Sequence, residues 1–208
     1  MDPPVRVTAD IGVTLDGFGA GPRQCLERPF GDLDQAPLHA WMFDRADESP
    51  EEIAGILEAK AYVMGRNMFS PDRGPWDLSW RGWWGEEPPY RAPVFVLTHH
   101  PRPPLEMTGG TTFHFVTDGL DSALQQARAA AGDGTVAIAG GATTINAALA
   151  AGVIDELRLH VAPYSSGLAV GAVPHGGSRL FDDVPVLGLV PVSARSTPHV
   201  THLTYRRP

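Results

Sequence analysis

The chain has 208 residues, 43% hydrophobic and 19% charged, which suits one ordinary globular domain with a sizeable core, so a single domain over 1–208 is expected. A net charge of −8 argues against a nucleic-acid binder, which needs a basic face, but leaves room for a small anionic ligand. Cys25 is the only cysteine, so no intrachain disulfide can form; the opening MDPPVRVTAD lacks the apolar core of a secretory signal, and no apolar run approaches ~18 residues, so the expectation is a cytoplasmic protein without a membrane span.

Val5 to Val13 reads as a first strand, with Val5, Val7, Ala9, Ile11 and Val13 on one face. Asp16 to Gly21 is a glycine-rich turn, and residues 22–48 form a long loop with a helical piece near Leu38 to Phe43. Ser49 caps the next helix, with Pro50 at its first position and Glu52 completing a capping box, and the helix runs to about Ala59 or Lys60. Ala61 to Met64 is a strand ended by Gly65. Ser70 to Arg91 holds four of the five tryptophans and lacks a regular period, as an ordered loop would. Pro93–Thr98 and Thr112–Val116 are buried strands. Thr117 or Asp118 caps a helix through Ala131, stopped by Gly132. Thr135–Ala139 is a short β-branched strand, Gly140-Gly141 a sharp turn, and Thr143 and Thr144 open a helix that leads to another strand. Val190–Ala194 and Val200–Tyr205 read as an antiparallel hairpin turned near Thr197-Pro198. This alternation predicts an α/β fold: a mostly parallel, mixed sheet flanked by helices, with an antiparallel C-terminal hairpin.

Glycines ahead of a helix N-terminus make a ready site for phosphate or pyrophosphate, or simply a tight strand-to-helix turn. Gly65-Arg66-Asn67-Met68 follows a buried strand; Gly65 permits close backbone approach, and Arg66 offers a forked, fixed charge suited to phosphate, or is a surface arginine. Ligands of open α/β sheets bind outside the carboxyl ends of strands, and three such ends, Gly65, Thr98 and Gly140, point to one crevice. His99-His100 makes a poor metal site, because adjacent strand residues face opposite ways and no further ligand stands at a suitable spacing, so no metal is expected. Asp16 is a candidate proton-relay or substrate-contact group, or an Asp-Gly turn former. The tryptophans at 76, 80, 83 and 84 are a pocket wall or the packed centre of their own loop. No Ser/His/Asp or Cys/His set suggests nucleophilic catalysis.

Five pieces occur in an order that resembles the dihydrofolate reductase-like reductases, in the branch related to the pyrimidine reductase C-terminal domain of riboflavin biosynthesis. They are Leu15-Asp16-Gly17-Phe18, Val63-Met64-Gly65-Arg66-Asn67-Met68-Phe69, Val94-Phe95-Val96-Leu97-Thr98-His99, the Thr135-to-Pro163 unit with its Val153-Ile154-Asp155-Glu156-Leu157 strand start, and Ser178-Arg179-Leu180-Phe181. The resemblance spans nearly the whole chain. It implies a dihydrofolate reductase-like fold and an NAD(P)H-dependent reductase passing hydride to a small polar heterocycle or sugar derivative, as a 5-amino-6-(5-phosphoribosylamino)uracil reductase does. True dihydrofolate reductase and a non-catalytic dinucleotide-binding module on the same fold are the alternatives.

The resemblance further implies that NADPH, or secondarily NADH, lies against Gly17, Gly65, Arg66, Asn67, Met68, Thr98, His99, Gly140, Gly141, Ala142, Thr143 and Thr144. Thr98-His99 stands where the family often places a Ser/Thr and a basic residue for the 2′-phosphate. Histidine is only partly charged at neutral pH, so the expected NADPH preference is modest, with His100 and Arg102 sharing the role. Asp16 takes the catalytic position, and Trp41 and Phe69 are placed at the substrate, Trp41 with Asp44 resembling a tryptophan that precedes an acidic pterin-binding residue. The family's habit and an otherwise bare sheet edge point to a homodimer. Tyr164 to Arg179 is longer and richer in glycine than the family's quick turn, so no family contact is carried into it.

Overall fold

The structure, a computed structural model, describes residues 5–70, 72–168 and 178–208. The elements in chain order are β1 (Val7–Val13), β2 (Phe18–Ala20), α1 (Gln35–Phe43), α2 (Pro50–Leu57), β3 (Ala61–Gly65), α3 (Arg66–Phe69), β4 (Pro93–Leu97), β5 (Leu105–Glu106), β6 (Thr112–Val116), α4 (Gly119–Ala131), β7 (Val136–Gly140), α5 (Ala142–Ala150), β8 (Glu156–Val161), β9 (Ser178–Arg179), β10 (Val190–Ser196) and β11 (Thr201–Arg206). Nine strands form one sheet in the order β10-β11-β8-β1-β7-β3-β4-β6-β5, and β2 pairs with β9 in a small separate ribbon. Neighbours from β8 to β6 run parallel, while β5 at one edge and β11 and β10 at the other run antiparallel. This is the mixed α/β fold with an antiparallel C-terminal hairpin that the alternation of elements predicts.

Strand alternation divides the interior. Val7, Ala9, Ile11 and Val13 of β1 join Ile138, Ile145, Leu149 and Leu157 in the main core, which α4 and α5 cover. The opposite face of β1 is buried too: Thr8 and Asp10 are 1% and 8% exposed, because α1 covers that side through Trp41. A second core lies toward β3, β4 and β6, where Tyr62, Met64, Val94, Val96 and Phe113 meet Phe69, Tyr90 and the tryptophans at 76, 80 and 84.

The local departures from expectation have physical causes. Helix α1 starts earlier than the helical piece near Leu38, since Asp34 accepts the Ala36 amide at 3.0 Å and caps it. Ser49 does not cap α2. Its hydroxyl pairs with His202 Nε2 at 3.0 Å, and Glu52 pairs with Arg195 at 2.7 Å, so the capping box gives way to two tertiary contacts and the helix ends at Leu57. Asp118 likewise accepts no backbone amide as a side-chain cap of α4, which begins at Gly119. Strand β5 is too short to show a period. Of the glycine-rich segment between Tyr164 and Arg179, residues 169–177 lie outside the described residues.

Candidate active site

β1 and β7 are neighbours, yet they pair only at Val7↔Val136, Thr8↔Ala137 and Ala9↔Ile138, whereas β1 stays paired with β8 through Val13↔Val161. The two strands therefore part toward their carboxyl ends. The chain leaving β7 returns to β8 through α5 on one face, and the chain leaving β1 reaches β3 through α1 and α2 on the other. Such a switch point is where open α/β sheets leave a crevice for ligands.

One wall of this edge is built from three strand ends. Met64 pairs with Gly140 and Gly65 with Leu97, which sets Gly65, Thr98 and Gly140 side by side. A Cβ on Gly65 would fall 2.5 Å from Thr144 Oγ1, so only glycine lets the end of β3 touch the first turn of α5. Gly140 has φ +117°, the peptide joining it to Gly141 is cis, and Met68 Sδ lies close over Gly140. The Thr144 and Ile145 amides turn back to the Gly141 carbonyl at 3.0 and 3.1 Å. The earlier amides of the turn have no intrahelical partner, as at any helix start. Gly141 and Thr143 are exposed there, and Ala142 and Thr144 are buried.

Arg66 opens α3 on the same edge. Its guanidinium lies 3.9 Å above the Trp76 ring, and its Nε and Nη2 are shielded from solvent without a hydrogen-bond partner among the described residues. Burial, followed by the nearby charge of Arg73, lowers its pKa. Asn67 donates to Gln24 at 3.0 Å and accepts from Arg73, tying in the long loop after β2. After β4, Thr98 Oγ1 accepts the His100 amide at 3.1 Å and forms a small turn that leaves His99 exposed. Arg102 departs from its expected part in phosphate recognition. It is buried, donates to the carbonyls of Leu78 at 3.2 Å and Trp80 at 2.6 Å, and packs near Phe69 and Phe115, so its charge holds the tryptophan loop.

At the end of β1, Asp16 accepts from Thr14 Oγ1 at 2.6 Å, from the Ser166 amide at 2.9 Å and from Ser166 Oγ at 2.5 Å. Burial pushes this carboxyl up, but the Ser166 and Thr14 hydrogen bonds outweigh it and hold the pKa at about 2. So held, the carboxyl stays ionised at neutral pH and ties the end of β1 to the Ser166 segment. Gly17 donates to the Thr14 carbonyl and accepts from Leu180, and the Arg179 guanidinium donates to the Asp16 carbonyl at 2.9 Å. Thr14, Asp16, Gly17, Val161, Arg179 and Leu180 are among the residues lining a cleft of about 360 Å³.

Two expected substrate residues are placed elsewhere. Trp41, on the buried face of α1, is fully buried, 4.4 Å from the His160 ring and 5.1 Å from that of His202. Phe69 is fully buried among Phe113, Phe115 and Trp76. Both are core aromatics. Sequence reasoning missed Ser166 and Asn146. Asn146 clamps the 179–182 turn, donating to the Arg179 and Asp182 carbonyls and accepting the Phe181 amide. A lone asparagine in the alanine-rich α5 was the available signal. Among the described residues, no group of three or more His, Cys, Asp or Glu is placed to hold a metal ion, and no helix is long and apolar enough to cross a membrane.

An open, mostly parallel sheet whose β1 and β7 part at the switch point, with an antiparallel C-terminal edge, defines a dihydrofolate reductase-like fold. The chain belongs to the RibD C-terminal domain family, whose sequence model matches residues 5–197. Its fold is similar to that of a Shewanella sp. PV-4 protein assigned to riboflavin biosynthesis, at 22% identity and a TM-score of 0.63, covering 98% of this chain and 99% of that one. The diaminohydroxyphosphoribosylaminopyrimidine deaminase/5-amino-6-(5-phosphoribosylamino)uracil reductase of Thermotoga maritima superposes at 17% identity and a TM-score of 0.60, over 99% of this chain and 57% of that one. A pyrimidine reductase-like protein of Corynebacterium diphtheriae does so at 16% identity and a TM-score of 0.52, over 97% and 91%. No curated protein is significantly similar in sequence.

Proposed function

We propose that this chain is an NADPH-dependent reductase of a small polar heterocycle or sugar derivative, acting as one domain and as a cytoplasmic homodimer. The observation that carries the reading is the meeting of Gly65-Arg66, Thr98 and the Gly140–Thr144 turn at the carboxyl edge beside the β1/β7 crevice. A dinucleotide fits this edge. The first turn of α5 offers amides and the positive end of a helix dipole, and Arg66 offers a shielded guanidinium edge whose Nε and Nη2 have no hydrogen-bond partner among the described residues. When bound, the cofactor supplies a hydride from its dihydronicotinamide to a C=N or C=O carbon.

The protein's own residues then bind, orient and exclude water. Gly65, Met68 and Thr144 shape the floor under the phosphates, Thr98 and His99 face the adenosine side, and Gly17 bounds the cleft at the reaction end. Asp16, held ionised, fixes the segment through Ser166 and leaves proton delivery to water. The fold relatives support a pyrimidine substrate, since two of them carry pyrimidine-reductase names. The test is to follow loss of reduced-nicotinamide absorbance with 5-amino-6-(5-phosphoribosylamino)uracil or the diaminohydroxyphosphoribosylaminopyrimidine that deamination converts into it, with dihydrofolate, and with no acceptor. Turnover with the pyrimidine supports the reading. Turnover with dihydrofolate alone makes the chain a dihydrofolate reductase, and tight NADPH binding without turnover of any acceptor makes it a binding module.

A further inference from the structure

We infer that Trp76 is a positioning residue that aims Arg66 at a phosphoryl group of the dinucleotide, an inference resting on the cofactor site proposed above. The Trp76 ring is fixed from several sides. It meets Phe69 at the end of α3 and Phe115 on β6 edge-on, at centroid distances of 5.7 and 5.1 Å. Its Nε1 donates to the His100 carbonyl at 2.7 Å, tying it to the turn that follows β4. The residues just beyond it are held by Arg102, which grips the Leu78 and Trp80 carbonyls.

Onto this fixed face Arg66 lays its guanidinium, 3.9 Å from the ring centroid. A guanidinium whose central carbon sits over a ring face is held through that carbon and keeps its N–H donors for other partners. Those donors are the part that binds phosphate in two parallel hydrogen bonds. Here Nε and Nη2 are sheltered from solvent and have no partner among the described residues. Sheltered donors left unpaired are costly, and an anion would satisfy them. An arginine on a flexible stem otherwise loses much rotamer freedom on binding, and the ring removes that loss beforehand. Trp76 also links the two sides of the edge, because the ring that carries Arg66 is the one bonded to the Thr98–His100 turn.

Calorimetric titration of NADPH into the full chain and its variants tests this, with thermal melting as the folding control. Arg66→Ala and Trp76→Leu are each expected to weaken binding about tenfold or more, and the double variant to bind no worse than Arg66→Ala alone, since Trp76 acts through Arg66. Trp76→Phe keeps the aromatic face and is expected to stay within about threefold of the parent. Arg66→Lys keeps the charge without the planar face and is expected to fall with Arg66→Ala, which preserves the test if Trp76→Leu does not fold. Additive losses in the double variant, a Trp76→Phe as weak as Trp76→Leu, or an Arg66→Lys that binds normally would each overturn the inference. Arg66→Ala binding normally would overturn the phosphate site itself, whereas a weakened Arg66→Ala beside a normal Trp76→Leu would overturn only the role of Trp76.

Discussion

Thr14 and Ser166 together give the Asp16 carboxylate three hydrogen bonds, and each of them favours the charged form. With its pKa at about 2 against an ordinary 3.8, this group adds stability that is complete above pH 3.8 and is lost as pH falls through 2. It is ionised across the neutral range. The rate of Asp16→Asn should therefore show the same pH profile between pH 5 and 9 as the parent, with its loss expressed mainly in KM as the Ser166 segment loosens. An inflection present in the parent and absent in the variant would restore Asp16 as an acid. The placements of Asp16 just past β1, Arg66 at the start of α3 and the Gly140–Thr144 turn at the start of α5 were legible because they follow from local signals: a glycine turn, a strand stop, a helix start. The destinations of Trp41, Phe69 and Arg102 were not. Each is a functional residue type beside a functional motif, and only the packed fold shows that the two rings point into the core and that the guanidinium is consumed by carbonyls of the tryptophan loop.

Element packing puts β3 against α5 with no room for a side chain at Gly65. Gly65 has φ −75° and ψ 157°, which alanine adopts freely, so any cost of Gly65→Ala comes from its Cβ meeting Thr144 Oγ1. Overpacking of this kind typically costs about 1–3 kcal/mol. Urea unfolding should show that loss in Gly65→Ala and partial recovery in Gly65→Ala/Thr144→Ala, and equal stability of parent and single variant would contradict the close approach. The opposite face of the sheet holds a buried polar chain. Ser49 Oγ meets His202 Nε2 at 3.0 Å, His202 Nδ1 meets His160 Nδ1 at 2.8 Å, and His160 Nε2 stands 3.6 Å from Asp10. In the contact between the two Nδ1 atoms one ring donates and the other accepts. This chain explains why a good capping-box sequence at Ser49 forms no box: the hydroxyl is worth more to a buried imidazole than to an exposed helix end. Burial and the neighbouring His160 lower His202 to about 4, and burial lowers His39 of α1 to about 4. Both fold best as neutral rings, so their stabilisation is complete above the ordinary 6.5 and is lost as pH drops from there toward 4. The urea midpoint should fall steadily from pH 7 to 5, and His202→Gln should flatten that slope. A midpoint constant over this interval would contradict neutral burial.

Across the whole molecule, the alternation of strands and helices was enough to read a mostly parallel sheet with an antiparallel C-terminal edge, since each buried strand carries its own short apolar run. Strand order was not readable in the same way. That β1 lies between β8 and β7, and that it leaves β7 after Ala9, depends on pairing between segments over a hundred residues apart. The central claim is that a dinucleotide lays its phosphates across the start of α5 beside this parting of β1 and β7. Thr143 is exposed in that first turn, so a carboxylate there favours the helix dipole while repelling a phosphate. The direct measurement is calorimetric titration of NADPH into the parent and Thr143→Glu. The expected result is saturable binding to the parent and a loss of about tenfold or more in a variant that melts at the same temperature or higher. Equal affinity in the two proteins, or no binding to the parent, would contradict it.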